Sequence, residues 1–144
     1  MRRNLRSDDE RSLVRHELTL DLLPDRYAVC RTDREVGPSE IEGVLVAVVR
    51  SQSEAMPTTL ICPDGSVPDE IEADHGWLVV RLVGIFGFGE IGVLASLIVP
   101  LAQADVPTLV VGSFETDYVL VKTDRPDHLR QVLQDAGHSF VDTA

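Results

Sequence analysis

From Trp77 to Val83 the chain reads WLVVRLV, a loosely alternating run rich in Val and Leu that predicts a strand. Gly84, Gly87 and Gly89 then punctuate a turn. From Glu90 the spacing lengthens to a helical period, placing Ile91, Leu94, Ala95, Ile98, Leu101 and Ala102 on one face. Val93 and Leu97 lie off that face, so the helix is apolar on more than one side and is expected to touch more than its own sheet. Pro100 inside the pattern predicts a kink or an early stop, because proline removes a backbone donor.

Two further strands follow, Val106 to Ser113 (VPTLVVGS) and Tyr118 to Lys122 (YVLVK), joined through Phe114 to Asp117 as a hairpin. Pro126 marks a helix start, with Leu129, Val132, Leu133 and Ala136 as its apolar stripe. Gly137 is placed to end that helix in the left-handed conformation, and Ser139 to Val141 supplies a last short strand. The first half is a blurred version of this order. His16 to Leu22 and YAVCR read as strands, and Ser39 to Gly43 has room for about one helical turn. Val44 to Val49 and Thr58 to Cys62 form a strand pair, and Pro68 to Asp74 predicts a short acidic helix. Strand, short loop, strand, Pro-led helix and Gly thus recur at an offset of roughly 60 residues. The expected organisation is a flexible tail over 1–15, a degenerate unit over 16–75 and a complete unit over 76–144.

At 144 residues the chain is long enough for one ordinary domain or two small ones. Its longest apolar stretch, Gly92 to Ala102, is 11 residues and too short for a membrane-spanning helix. The formal net charge is −11, from 13 basic and 24 acidic side chains. Five Arg stand in the first 15 residues against three acids, so the rest carries 8 basic against 21 acidic groups. A body of that sign repels phosphate backbones, which excludes nucleic acid from the expected partners. The N-terminal segment lacks the apolar core of a secretory signal, and the expected location is cytoplasmic. Cys30 and Cys62 fall in strand-like runs and are expected as buried free thiols. No spacing of Cys or His suits a metal, and no cofactor is expected.

One motif invites a nucleotide. Gly87-Phe88-Gly89-Glu90-Ile91-Gly92 spells G-x-G-x-x-G between a strand and a helix, with Glu115 after the next strand. The chain then enters another strand where a dinucleotide fold needs a crossover helix, which counts against that reading. The glycines keep a physical meaning. They let backbone approach a ligand at a helix start, where free N–H groups and the helix dipole favour an anion such as a carboxylate. The simpler role of each glycine is to supply positive φ in a tight connection.

The run GVLASLIVPLAQADVPTLVVGSFETDYVLVK (Gly92 to Lys122) resembles the ACT domains of small bacterial proteins akin to CASTOR-type amino-acid sensors. LDLLPDRYAVCR and the Cys-Pro of TTLICPDG match the same family, and the likeness covers about residues 18–141. It implies an α+β fold of tandem ferredoxin-like (βαββαβ) ACT units with antiparallel sheets, the first unit degenerate. It also implies a ligand, often an amino acid, at a seam between two units, formed within or between chains. Carried onto this sequence, Phe88, Gly89, Gly92 and Val93 stand at the carboxylate end. Gly112, Ser113, Thr116 and Asp117 stand nearby, with Asp117 a partner for an amine or guanidinium.

The sequence departs from the family pattern just before GVLA. Ile91 stands where relatives often carry a hydroxyl, and Glu90 stands at a commonly apolar position. A negative charge there competes with a bound carboxylate unless the ligand presents a cation. Its other role is a solvated acid favourable to the helix dipole. Asp117 also has a second role, satisfying backbone N–H groups in the hairpin. His128 and His138 are expected at the surface, and Ser96 and Ser113 lack a nucleophile context. The expected function is therefore non-catalytic regulation through binding of an amino acid or similar metabolite by a homodimer. The alternative is a structural protein-interaction module without ligand.

Overall fold

A computed structural model of the chain describes residues 16–50, 57–84 and 92–141. Its elements follow in the order β1 (Thr19–Leu22), β2 (Tyr27–Thr32), the 3-10 turn η1 (Pro38–Glu40), β3 (Ala47–Val49), β4 (Thr58–Pro63), the 3-10 turn η2 (Asp64–Ser66) and β5 (Glu72–Leu82). Helix α1 (Val93–Gln103), β6 (Thr108–Gly112), β7 (Asp117–Lys122), helix α2 (Pro126–Asp135) and β8 (Ser139–Phe140) complete it. The fold is α+β and consistent with ACT-type βαββαβ units. Packing divides the chain into two units, Leu23–Val79 on one side and Met1–Leu22 with Val80–Ala144 on the other. This division differs from the boundary expected after residue 75, because β1 packs with the C-terminal unit.

In the unit Leu23–Val79 the strands lie in the order β3-β4-β2-β5, every neighbour antiparallel. The sequence order is strand, 3-10 turn, strand, strand, 3-10 turn, strand. Each helix of a βαββαβ unit is thus reduced to a single 3-10 turn. The acidic helix expected over Pro68–Asp74 is absent. Val67 is extended, Glu70 takes φ 66°, and β5 already begins at Glu72, which leaves no run of helical residues. Ala28, Cys30, Val36, Leu60 and Cys62 form the buried cluster on one sheet face, with Ile41, Val48, Val67 and Ile71 from the connecting segments and β3 packed against it.

The C-terminal unit repeats the same strand order with one substitution. Its sheet runs β6-β7-β5-β1-β8. Second, third and first strands stand as they do in the other unit, but the fourth place is taken by β1, antiparallel to β5. The expected fourth strand, β8, lies outside β1 and parallel to it. Arg81 donates to Asp21 at 2.9 Å across the β5–β1 pair, and the Arg130 guanidinium lies over Phe140 at 4.8 Å, fastening β8 to α2.

Helix α1 buries Val93, Ser96, Leu97 and Leu101. Of the stripe expected from spacing, Leu94, Ala95 and Ile98 are half-buried, Ala102 is exposed and Leu101 alone is buried; Ile91 lies outside the described residues. A helix apolar nearly all round carries no preference strong enough to fix its rotation, and here a polar residue decides it. Pro100 neither stops the helix nor leaves an orphan. Its missing N–H would have reached the Ser96 carbonyl one turn back. That carbonyl instead accepts from Nε2 of His138 at 2.8 Å. Nδ1 of the same ring accepts from the Leu18 backbone N–H at 3.1 Å. The two partners fix the proton on Nε2. His138 is therefore buried, 4% exposed, and not the surface group expected. It stands just after Gly137, whose φ of +98° closes α2 in the left-handed conformation as expected.

Replacing His138 with leucine strips partners from two buried backbone groups and is expected to lower unfolding stability by about 2–4 kcal/mol. In a Pro100→Ala background the restored N–H serves Ser96, so the same replacement is expected to cost about 1–2 kcal/mol less. Urea denaturation of the four chains checks this. An identical cost in both backgrounds refutes the substitution of ring for amide.

Candidate functional site

The residues assembled here belong to the C-terminal unit. At the end of β5 the Leu82 carbonyl accepts from the Thr116 hydroxyl at 2.9 Å, which pins the β6–β7 hairpin to that end of the sheet. The next amide, Val83 N–H, donates to the Thr19 carbonyl at 2.9 Å. Three residues earlier, His16 N–H donates to the Ser96 hydroxyl at 3.1 Å, and that hydroxyl donates to the Gly92 carbonyl at 2.9 Å. Gly112, Ser113, Thr116 and Asp117 thus stand at the hairpin end beside Leu82, and Gly92 and Val93 stand at the start of α1.

Gly92 is the N-cap of α1, at φ 80°, and no side chain caps the helix start. A non-glycine residue at that φ is strained. The Val93 side chain is buried, 6% exposed, so this residue faces a ligand only through its backbone N–H. Ser113 and Thr116 are engaged with each other. The Ser113 hydroxyl donates to the Thr116 carbonyl at 2.6 Å and accepts from its N–H at 3.2 Å. Asp117, the first residue of β7, is half-buried and pairs in register with Gly112. A Cβ at position 112 would stand 3.4 Å from an Asp117 carboxylate oxygen, so glycine there leaves the carboxylate its room. Phe88, Gly89 and Glu90 lie outside the described residues.

The sequence reading missed Ser96, His16 and His138 as supports for the start of α1. One signal was available: a proline inside a helix orphans the carbonyl four residues back, and a buried serine at that position asks for polar partners. Among the described residues, no group of three or more His, Cys, Asp or Glu is arranged to hold a metal. No helix among them is long and apolar enough to cross a membrane.

Residues 72–135, from β5 through α2, match the family model described as ACT domain. The chain is an ACT-domain protein. In sequence it is related to the curated protein "Cytosolic arginine sensor for mTORC1 subunit 1" of Homo sapiens and of Bos taurus, at 32% identity over 98 residues in each. That alignment covers 67% of this chain and 28% of theirs, so the ACT-domain chain spans little more than a quarter of those relatives. Among solved structures it is similar to an Agobacterium tumefaciens protein, at 26% identity and TM-score 0.76, covering 88% of this chain and 93% of that one. It also shares its fold with the alpha and beta subunits of an aspartokinase, at 14% identity and TM-score 0.57, over 84% of this chain and 98% of that one.

Cys30 and Cys62 are buried free thiols on neighbouring strands β2 and β4, two residue pairs apart in register. Burial pushes Cys62 up to about 12, the neighbouring Cys30 adding to the rise. Burial likewise raises Cys30, against a lowering hydrogen bond from Cys62. A thiol whose folded value is raised keeps its full stabilisation below the unfolded value, about 8.5, and loses it as pH climbs toward the folded one. The urea midpoint is therefore expected to fall between pH 8 and pH 10.5, and to fall less in Cys62→Ala. An identical fall in both chains shows that the thiol does not contribute.

Proposed function

We propose that this ACT-domain chain is a non-catalytic regulatory protein. It binds an amino acid or similar small metabolite through Gly92, Val93, Gly112 and Asp117 of the C-terminal unit. The observation that carries the reading is the start of α1: a left-handed glycine at the N-cap and, among the described residues, no side-chain cap. Free N–H groups and the helix dipole suit an α-carboxylate. Asp117 offers its charge to an amine or guanidinium. Phe88, Gly89 and Glu90 complete the binding set in this proposal, with the charge of Glu90 suited to a cationic group. Ser113 and Thr116 shape the hairpin, because their hydroxyls are already engaged with backbone.

The outer side of α1 supports a seam with a second copy. Leu94 and Ile98 are half-buried and Val99 is 37% exposed, an apolar surface suited to a symmetric contact. The protein in this reading is a cytoplasmic homodimer whose ligand changes its association with a target. The curated relatives' name makes arginine the first ligand to test, and the carboxylates of Asp117 and Glu90 fit its guanidinium.

Thermal unfolding with each of the twenty amino acids at millimolar concentration tests this. A ligand at about 100 times its dissociation constant adds about 2.7 kcal/mol. Asp117→Asn is expected to abolish the shift for a cationic ligand while leaving the unligated midpoint in place. If no amino acid moves the midpoint, the chain is the ligand-free interaction module. If Asp117→Asn lowers the unligated midpoint equally, the carboxylate serves the hairpin alone.

A further inference from the structure

Among its described residues the unit Leu23–Val79 has no α-helix to bring an N-terminus to a ligand, yet it holds a cavity of about 340 Å³. Glu35, Val36, Gly37, Val48, Arg50 and Thr58 line it. Their stations in the fold are informative. Glu35 to Gly37 lie on the connection after the unit's first strand, β2. Arg50 and Thr58 lie at the far end of the pair formed by its second and third strands, β3 and β4. In the C-terminal unit the same two stations are held by Gly92 with Val93 and by Gly112 with Asp117. Reduction of the helices to 3-10 turns has left that position open in the degenerate unit, with different side chains around it.

We propose that this cavity is a second, independent binding site, for the zwitterionic head of a small α-amino acid with an apolar side chain. Its chemistry stands without any ligand at Gly92. The cavity carries one charge of each sign. Arg50 Nη1 lies 3.3 Å from Glu35 Oε1, and both side chains are largely exposed. Such a pair contributes roughly 0–1 kcal/mol, so parting it costs little. A zwitterion exchanges one ion pair for two: its carboxylate meets the guanidinium, in a bidentate geometry that arginine favours, and its ammonium meets Glu35. The Thr58 hydroxyl adds a donor at the same end. Val36 and Val48, both packed on the cluster around Cys30 and Leu60, offer methyl surface to a short alkyl side chain. The volume lies at the small end of the range for metabolite sites, about 300–1,000 Å³. The hairpin end that carries Asp117 in one unit carries Arg50 in the other, so the two sites select differently charged ligands.

Amide NMR of the full chain titrated with L-valine tests the proposal. Saturable shifts are expected at Val36, Gly37, Val48 and Thr58. Isobutylamine, without the carboxylate, and 3-methylbutanoate, without the ammonium, are each expected to bind at least about tenfold more weakly. Arg50→Gln and Glu35→Gln change exposed side chains, leave the spectrum elsewhere in place and are expected to weaken L-valine by a similar factor. Shifts confined to Gly92, Val93 and Asp117 overturn this site while supporting the other; shifts confined to the cavity support this site, and the other is read separately with arginine. No saturable shift at the cavity, or an affinity indifferent to Arg50→Gln, overturns the proposal.

Discussion

A proline inside α1 obliges the C-terminal unit to find a donor for the Ser96 carbonyl, and the imidazole of His138 supplies it. Much else follows from that one bond. The ring's other nitrogen takes the Leu18 amide, and the Leu18 carbonyl accepts from Ser139 N–H at 2.9 Å, so the lead into β1 is held from both sides. With β1 held, the fourth place of the sheet is filled by a strand from the far end of the chain. The hydroxyl of Ser96, turned inward by the same packing, then ties His16 to the Gly92 carbonyl. The start of α1, which no side chain caps among the described residues, is thus tied to the lead into β1.

The two units show how one βαββαβ plan survives unequal local sequence. The order of the first three strands agrees in both, because pairing within each sheet depends on the short β-rich runs that both halves retain. The helices do not agree. In the C-terminal unit Val93, Leu97 and Leu101 repeat every fourth residue and bury a stripe. In the other unit the corresponding segments stop at single 3-10 turns, the second followed by an extended Val67 and a left-handed Glu70. Loops carrying Val36, Ile41, Val67 and Ile71 then cover the sheet face that helices would cover. A loop follows the sheet less closely than a helix does, and the cavity beside Arg50 is the result.

What the sequence made legible is the local part. The strands, the hairpin at Phe114, the end of α2 at Gly137 and the likeness to ACT domains all rest on runs of contiguous residues. Three features rest on distant pairs and stayed hidden. The placement of β1 depends on which edge of a later sheet is open. The rotation of α1 depends on His138, a residue that looks like a surface group because nothing adjacent to it in sequence is its partner. The loss of the Pro68–Asp74 helix turned on how soon β5 begins. The candidate site was legible as a list of residues, whereas the means of holding Gly92 in place was not.

Long-range proton–nitrogen NMR of the imidazole rings measures directly where the His138 proton sits. The account predicts one slowly exchanging proton on Nε2 and a bare, hydrogen-bond-accepting Nδ1. A proton on Nδ1, or a signal averaged between the two nitrogens, contradicts it, since neither Ser96 nor Leu18 would then have the partner on which the rest of the unit depends.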